Sequence, residues 1–302
     1  MTLWQLVIPV VVGLVLAFLW WAGKAMLEGA REGIQEANEE LAQEKAEREA
    51  QQAEQTAARQ QVVETAARSL GEAERFALNL RAPFAQLWIQ IFEDAVSGRP
   101  LEYFYQFTPP AGKEDELRQS LVEGWEITDH TSALSSLAWL LDSGHRAPYQ
   151  TVRQHLQSGD GTSDELNKRL AAVVGKWESE VGEVGGLAFD LARAVDIAAQ
   201  GVALGYLSEA QGWRVLGQCR QMARDAAFRD WAHYGQSFRA GAEFWKSGGV
   251  IDGVRNKGYA QTVRWLLEDA DSPWVRDPWP TAGQVLEQQR AADTDGVRPT
   301  LH

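Results

Sequence analysis

The chain lacks any charged side chain in its first 23 residues. Within them the run from Leu3 to Ala22 is largely apolar, and a helix of that length spans roughly 30 Å, the thickness of a bilayer core. Trp4 lies at one end of the run and Trp20 and Trp21 at the other, where aromatic side chains favour the membrane interface. The basic segment that opens a cleaved signal peptide is missing. We therefore predict a transmembrane signal-anchor over residues 1–23 that inserts Leu3–Ala22 into a lipid bilayer.

Basic residues are absent before this run, whereas Lys24 and Arg31 follow it. The positive-inside rule then predicts a single-pass protein with the bulk of its chain in the cytoplasm. Cys219 is the only cysteine, which excludes an intramolecular disulfide and suits a reducing compartment. We expect Cys219 to be a small buried side chain and not a nucleophile, because no histidine partner is defined for it.

Runs of lysine and arginine are also missing, and the formal net charge is −13 with a pI near 4.9. This composition argues against a nucleic-acid partner, because binding a duplex requires concentrated positive charge. The five histidines include no pair at the four-residue spacing of helical zinc sites. The glycine-rich stretches at 182–186 and 248–249 lack the lysine of a phosphate-binding loop. We therefore expect no nucleic acid, no metal and no cofactor.

Proline is absent from residues 25–70, in a segment rich in Ala, Glu and Gln. Good helix formers fill this segment, which predicts a helical stalk over residues 24–75, with a helix on the order of 70 Å long. A short seam at three- and four-residue spacing stops at Glu44 and Arg48. Two interpretations stay open, a weakly self-associating coiled coil and a solvated spacer. The seam comprises Leu27, Ala30, Ile34, Ala37 and Leu41.

Apolar residues at helical spacing predict a compact multi-helix domain over residues 76–282, followed by a flexible tail over residues 283–302. No alternation of strands and helices is visible, so the fold class is all-α. The aromatic run Leu101–Phe107 is the best candidate for a short strand or an extended packing segment. Three helix ends carry their own signals: Asp129 or Thr131 as an N-cap, Ser208 with Gln211 as a capping box, and Gly144 after a helix end.

Polar residues that interrupt the apolar pattern are the candidate site. Asp190 and Arg193 stand three apart on one helical face, where the carboxylate can pair with Arg193 or with a cation from another helix. Such a pair is a structural ion pair or part of a functional site. His130 and His145 flank one predicted helix, as capping or core histidines or as catalytic groups. With Trp125 these four residues form the candidate polar cluster, in which no catalytic residue is assigned.

Four sequence blocks stand out in the second half of the chain. They are GWEI at 124–127, AFDLARAV at 188–195, GYLSEA at 205–210 and SPWVRDPW at 272–279. These blocks resemble, in the same order, a bacterial domain of unknown function typified by the enterobacterial YbeU and YbeR proteins. The resemblance extends from about Gly124 to Trp279, roughly half of the chain. Where family members often have Trp-Asp-Leu-Gly-Arg, this chain has Phe-Asp-Leu-Ala-Arg at 189–193. The resemblance implies an α-helical domain without established enzymatic activity, and together with the predicted anchor it places the chain at a bacterial inner membrane.

The anchor, the stalk and the missing catalytic constellation favour a membrane-anchored, non-catalytic protein-binding module. Its acidic charge favours a basic protein partner. The family's genetic neighbourhood implies an immunity or accessory role in a toxin or secretion system. The alternative is an enzyme of unknown class with a site built around Asp190, Arg193, His130 and His145. A third hypothesis is a structural protein that assembles through its stalk.

Overall fold

The computed structural model describes residues 42–93 except 52, 55, 56 and 59, then residue 96 and residues 98–159, 165–248 and 254–280. Over these ranges the protein is helical and contains no strand, which confirms the all-α prediction. None of the helices in these ranges is long and apolar enough to cross a membrane. The predicted anchor Leu3–Ala22 and the tail at 283–302 lie outside the described residues.

The chain divides into two compact units, residues 1–61 and residues 62–302. In the first unit the described residues from 42 onward are helical and exposed. Ion pairs one turn apart join Arg48 to Glu44 at 3.4 Å and Lys45 to Glu49 at 3.9 Å. Pairs this exposed add little to stability, so helix propensity carries most of this segment. Self-association through the stalk stays a prediction.

Over its described residues, the second unit is a helical bundle with two short 3-10 segments. The helical residues 62–68 of this unit are labelled α1. The 3-10 segments are Leu101–Tyr105 and Gly182–Val184. The further helices are α2 (Glu72–Asn79), α3 (Ala82–Glu93), α4 (Glu114–Trp125), α5 (His130–Asp142), α6 (Arg146–Ser158), α7 (Glu165–Val181), α8 (Leu187–Ala203), α9 (Glu209–Asp225), α10 (Trp231–Gly248), α11 (Val254–Glu268) and α12 (Pro273–Arg276).

Helix α8 is the central helix of this bundle and packs against α3, α5, α9 and α10. Almost its whole circumference is buried, as expected for a helix that is apolar on most faces. Glycines allow the closest approach, where a Cβ added to Gly241 would lie 2.6 Å from the Cβ of Phe189 and 2.8 Å from the carbonyl oxygen of Gly186. The start of α8 therefore sits directly against α10.

The strand prediction for Leu101–Phe107 was wrong. Its first five residues, Leu101–Tyr105, form a buried 3-10 turn. Carbonyl groups of the segment accept hydrogen bonds from one arginine side chain and not from a neighbouring strand. Arg81 donates from Nη2 to the carbonyl oxygens of Tyr103 at 2.7 Å and of Gln106 at 2.6 Å. The aromatic composition therefore reflects burial and not strand pairing.

Two predicted caps are confirmed. Asp129 begins α5, and its carboxylate accepts the backbone N–H of Ser132 at 2.8 Å, so Asp129 and not Thr131 is the N-cap. Ser208 begins α9 and forms a capping box with Gln211. Both caps satisfy backbone donors that the first helical turn leaves unpaired.

The C-terminal end of the described bundle packs on its N-terminal helices. The Asp277 carboxylate accepts from Arg75 Nε at 2.9 Å, Asn79 Nδ2 at 3.1 Å and the Tyr105 hydroxyl at 3.0 Å. The rings of Trp231 and Trp274 stack at 4.9 Å with an angle of 5° between their planes. These contacts tie α12 and the residue after it to α2 and to the first 3-10 turn.

Candidate functional site

The turn between α5 and α6 places two residues against the first turn of α8. Gly144 has a φ of +54° and ends α5 as predicted, with its N–H donating to the carbonyl oxygen of Trp139 at 2.8 Å. A Cβ at this position would lie 2.3 Å from Oδ2 of Asp190. Glycine is therefore required twice, for the left-handed backbone and for the close approach of Asp190.

The carboxylate of Asp190 is completely buried and lies at the centre of this contact. Oδ1 accepts from the backbone N–H of His145 at 2.9 Å and from its Nδ1 at 2.8 Å. Oδ2 accepts from the backbone N–H of Arg146 at 2.9 Å and from its Nη1 at 3.3 Å. Asp190 therefore caps the start of α6 from a neighbouring helix, and its buried charge has opposite charge and hydrogen bonds around it.

Arg146 connects this carboxylate to the end of α5. Its Nη1 donates to the carbonyl oxygen of Leu140 at 2.6 Å, and its Nη2 donates to those of Leu141 at 2.7 Å and Asp142 at 2.8 Å. These are carbonyls that the last helical turn leaves unpaired, at the negative end of the helix dipole. The guanidinium and Asp190 together lock the α5–α6 turn.

The imidazole of His145 lies among four aromatic rings. Its centroid is 4.9 Å from Trp139, 5.3 Å from Phe189, 5.9 Å from Trp125 and 6.1 Å from Trp245. Its Nδ1–H points at the Asp190 carboxylate, which leaves Nε2 as the acceptor of a neutral ring. Within the described part of the chain, no residue forms a hydrogen bond with Nε2. The side chain is 14% exposed.

Three of these rings reach the surface. Trp139 is 42% exposed, and Trp125 and Trp245 are half-buried. We call Trp125, Trp139, His145 and Trp245 the aromatic surface. Four separate elements supply it, namely α4, α5, the α5–α6 turn and α10. Val122, one helical turn before Trp125, adds a further exposed apolar side chain.

Arg193 does not pair with Asp190. Its guanidinium carbon lies 3.6 Å from the ring centroid of Phe84 and 5.6 Å from that of Trp125, on the inner side of the aromatic surface. Its ion-pair partner is Asp196 at 3.7 Å, one helical turn further along α8. The structure thus realises the other alternative for Asp190, pairing with a cation from another helix.

Asp196 belongs to a second polar group that the sequence analysis missed. Its carboxylate is buried and accepts from Gln200 Nε2 at 2.8 Å. Burial raises the pKa of Asp196, and the charges of Arg193 and Arg81 act in the opposite direction. Arg81 is itself buried, with its guanidinium 4.6 Å from the Tyr103 ring. The sequence does contain a pattern that indicates this group. Positions 190, 193, 196 and 200 are polar at three- and four-residue spacing in an otherwise apolar helix.

His130 lies apart from the rest of the predicted cluster. It is exposed at the start of α5, and its Nδ1 is 2.7 Å from the carbonyl oxygen of Tyr206. His145 follows the opposite end of the same helix, which places the two imidazoles roughly 20 Å apart along the axis. Of the predicted cluster, Asp190, His145 and Trp125 are therefore in contact through His145, and the guanidinium of Arg193 lies near the ring of Trp125. His130 is not part of this group.

Other reactive groups are enclosed or scattered. Cys219 is buried, and burial raises the pKa of its thiol to about 12, so the sulfur stays protonated. In the described ranges no group of three His, Cys, Asp or Glu residues could hold a metal ion. A shallow depression of about 320 Å³ along α11 is lined by Gln261, Arg264, Trp265, Glu268 and Asp269.

Comparison with known proteins places the chain in a family. Residues 120–279, just over half of the chain, match the family described as a protein of unknown function (DUF1266). This match covers the end of α4 and all of α5 to α12, and with them the Asp190 contact and the whole aromatic surface. No curated protein and no solved structure matches the chain. The chain belongs to the DUF1266 family of proteins of unknown function.

Proposed function

We propose that this chain is a membrane-tethered protein-binding module that presents the aromatic surface to a protein partner. The observation that carries the proposal is the exposure of Trp139 beside Trp125, His145 and Trp245. Tryptophan is enriched at the energetic centres of protein interfaces, because it buries a large area at a small cost in side-chain entropy. The exposed 42% of Trp139 alone offers an area worth roughly 2–3 kcal/mol on burial.

The support beneath this surface favours binding as its role. Asp190 and Arg146 fix the turn that carries His145, and Arg193 stacks near the inner side of Trp125. A surface fixed in this way loses little freedom when a partner covers it, and pre-organisation of this kind strengthens binding. The tether is the predicted Leu3–Ala22 anchor, which would hold the partner at the inner membrane from the cytoplasmic side.

The finer biological assignment is part of the same proposal. We infer that the chain is a YbeU/YbeR-like protein, with an immunity or accessory role toward a bacterial toxin or secretion component. The net charge of −13 supports a basic partner through electrostatic complementarity. If the role is immunity, the partner is a basic toxin, and the chain neutralises this toxin by binding it at the inner membrane.

Site-specific photocrosslinking in cells tests this proposal. A photoreactive phenylalanine analogue replaces Trp139 in the full chain, and in a matched control it replaces Leu156, which is equally exposed on α6. We expect one adduct of defined mass from position 139, found in the membrane fraction and absent from position 156. The absence of any adduct at 139, or the same adducts at both positions, would contradict the proposal.

A second candidate function, catalysis, is favoured by one contact, the Asp190–His145 hydrogen bond. A buried carboxylate on Nδ1 orients an imidazole as a general base through Nε2. His145→Gln removes the base, and the position-139 crosslink reports separately whether the partner is still in contact with the aromatic surface. Loss of cellular function in His145→Gln, with the position-139 crosslink intact, would favour the enzyme instead.

A further inference from the structure

The aromatic surface lies in an acidic stretch of the chain. Residues 122–145 contain Glu123, Glu126, Asp129 and Asp142 and no lysine or arginine. Trp125, Trp139 and His145 all come from this stretch. Carboxylates therefore lie close in the chain to three of the four residues of the aromatic surface.

Two of these carboxylates are exposed and lie within one helical turn, along the chain, of a tryptophan of the aromatic surface. Glu126 directly follows Trp125 as the C-cap of α4, where a φ of +55° holds it in the left-handed region, and its side chain is exposed. Asp142 is exposed one helical turn after Trp139 on α5. Asp129 is already engaged as the N-cap of α5, and its hydrogen bonds with Ser132 hold its pKa below the usual value. Glu126 and Asp142 are thus the charges best placed to meet a partner.

Two nearby basic side chains, those of Arg146 and Arg193, are engaged in other contacts. Arg146 donates to the three carbonyl groups at the end of α5 and to Asp190. Arg193 pairs with Asp196 on the inner side of Trp125. Lys246 follows Trp245 and is half-buried near the end of α10. The resulting surface combines indole faces with carboxylates, and both attract cations.

We propose that the aromatic surface receives an arginine side chain from a basic segment of the protein partner. This inference rests on the proposed function and names the chemistry of the partner. Arginine fits better than lysine, because its planar guanidinium can stack on Trp139 or Trp125 while its N–H groups pair with Glu126 or Asp142. A neutral apolar segment would leave both carboxylates without a counter-charge.

Fluorescence anisotropy with defined peptides tests the inference on the full chain in detergent. The probe is a fluorescein-labelled heptapeptide in which glycine alternates with arginine. One control peptide carries citrulline, which keeps the shape of arginine without its charge, and another carries lysine. We expect saturable binding of the arginine peptide, weaker binding of the lysine peptide and none of the citrulline peptide.

Variants locate the binding on the protein. We expect Trp139→Ala to weaken arginine-peptide binding roughly tenfold, and Glu126→Gln with Asp142→Asn to weaken it about fivefold. The matched control Glu93→Gln with Glu268→Gln makes the same charge change on α3 and α11 and should leave binding unchanged. Circular dichroism confirms that each variant is folded.

The outcomes separate the two proposals. Absent binding, equal binding of the citrulline peptide, or equal affinity in all variants would overturn the arginine inference. If the position-139 crosslink still forms in that case, the protein-binding proposal stands and only the chemistry of the partner is wrong. If the crosslink also fails, both proposals fall.

Discussion

Replacing Asp190 by asparagine tests the central contact of the bundle. The carboxylate accepts from two backbone N–H groups and from the side chains of His145 and Arg146. An asparagine side chain has the same shape but only one acceptor oxygen. Its NH₂ group would replace the other oxygen and would face N–H donors of His145 or Arg146. Removing one partner of a buried, hydrogen-bonded charge pair costs about 3–5 kcal/mol. We expect Asp190→Asn to lower the free energy of unfolding by this amount.

Urea denaturation of the full chain in detergent, followed by circular dichroism at 222 nm, measures the change. Asp142→Asn is the matched control, because this carboxylate is exposed at the end of α5 and should alter the free energy by less than about 0.5 kcal/mol. An Asp190→Asn variant within about 0.5 kcal/mol of the wild type would refute the role assigned to the buried carboxylate.

Three further predictions concern single residues. Gly144→Ala should lower the free energy of unfolding by about 2–4 kcal/mol, because the new Cβ would clash with Asp190 and the backbone has a φ of +54°. The control Gly112→Ala has a φ of +80° but no neighbouring atoms to clash with, and it should lower the free energy of unfolding by about 1 kcal/mol in the same assay. Cys219 should resist iodoacetamide at pH 8 until urea unfolds the protein, since burial raises its pKa to about 12, and rapid native labelling would contradict this. Burial likewise raises the pKa of Tyr103 from 10.0 to about 12, so the stability that it contributes is present below pH 10 and is lost as pH rises toward 12. Tyr103→Phe should reduce the loss of stability between pH 10 and pH 12. If the variant and the wild type show the same dependence of unfolding free energy on pH, Tyr103 is not the group responsible.

Helices and caps could be predicted because their signals are local. The Ser208–Gln211 box and the Asp129 cap depend on residues three apart, and the structure has both. The aromatic turn at Leu101–Tyr105 was misassigned because β-propensity mainly reports burial, and here a long-range partner, Arg81, satisfies the backbone.

The candidate site could be predicted only in part, because its contacts also join residues that are far apart in the chain. Asp190 and His145 are 45 positions apart, so no local pattern indicates that one orients the other. Arg193 stands three residues after Asp190, but it forms its ion pair with Asp196, three residues further toward the C-terminus of α8. Helical spacing shows which residues share a face, whereas the choice of partner depends on how the helices pack.

The contacts around Tyr234 and Trp274 bear on what the family segment can do alone. Tyr234 donates its hydroxyl hydrogen to the carbonyl oxygen of Leu80 at 3.0 Å, and Trp274 donates from Nε1 to that of Asn79 at 2.9 Å. Both acceptors precede the family match at residues 120–279. A fragment that starts at residue 120 would leave Trp274 Nε1 without this acceptor and Tyr234 with only its second acceptor, the carbonyl oxygen of Ala188 at 3.2 Å. It would also uncover part of the tryptophan stack. The segment that matches the family is therefore smaller than the packed bundle, and a relative without an equivalent of α2 must cover this face with a different segment.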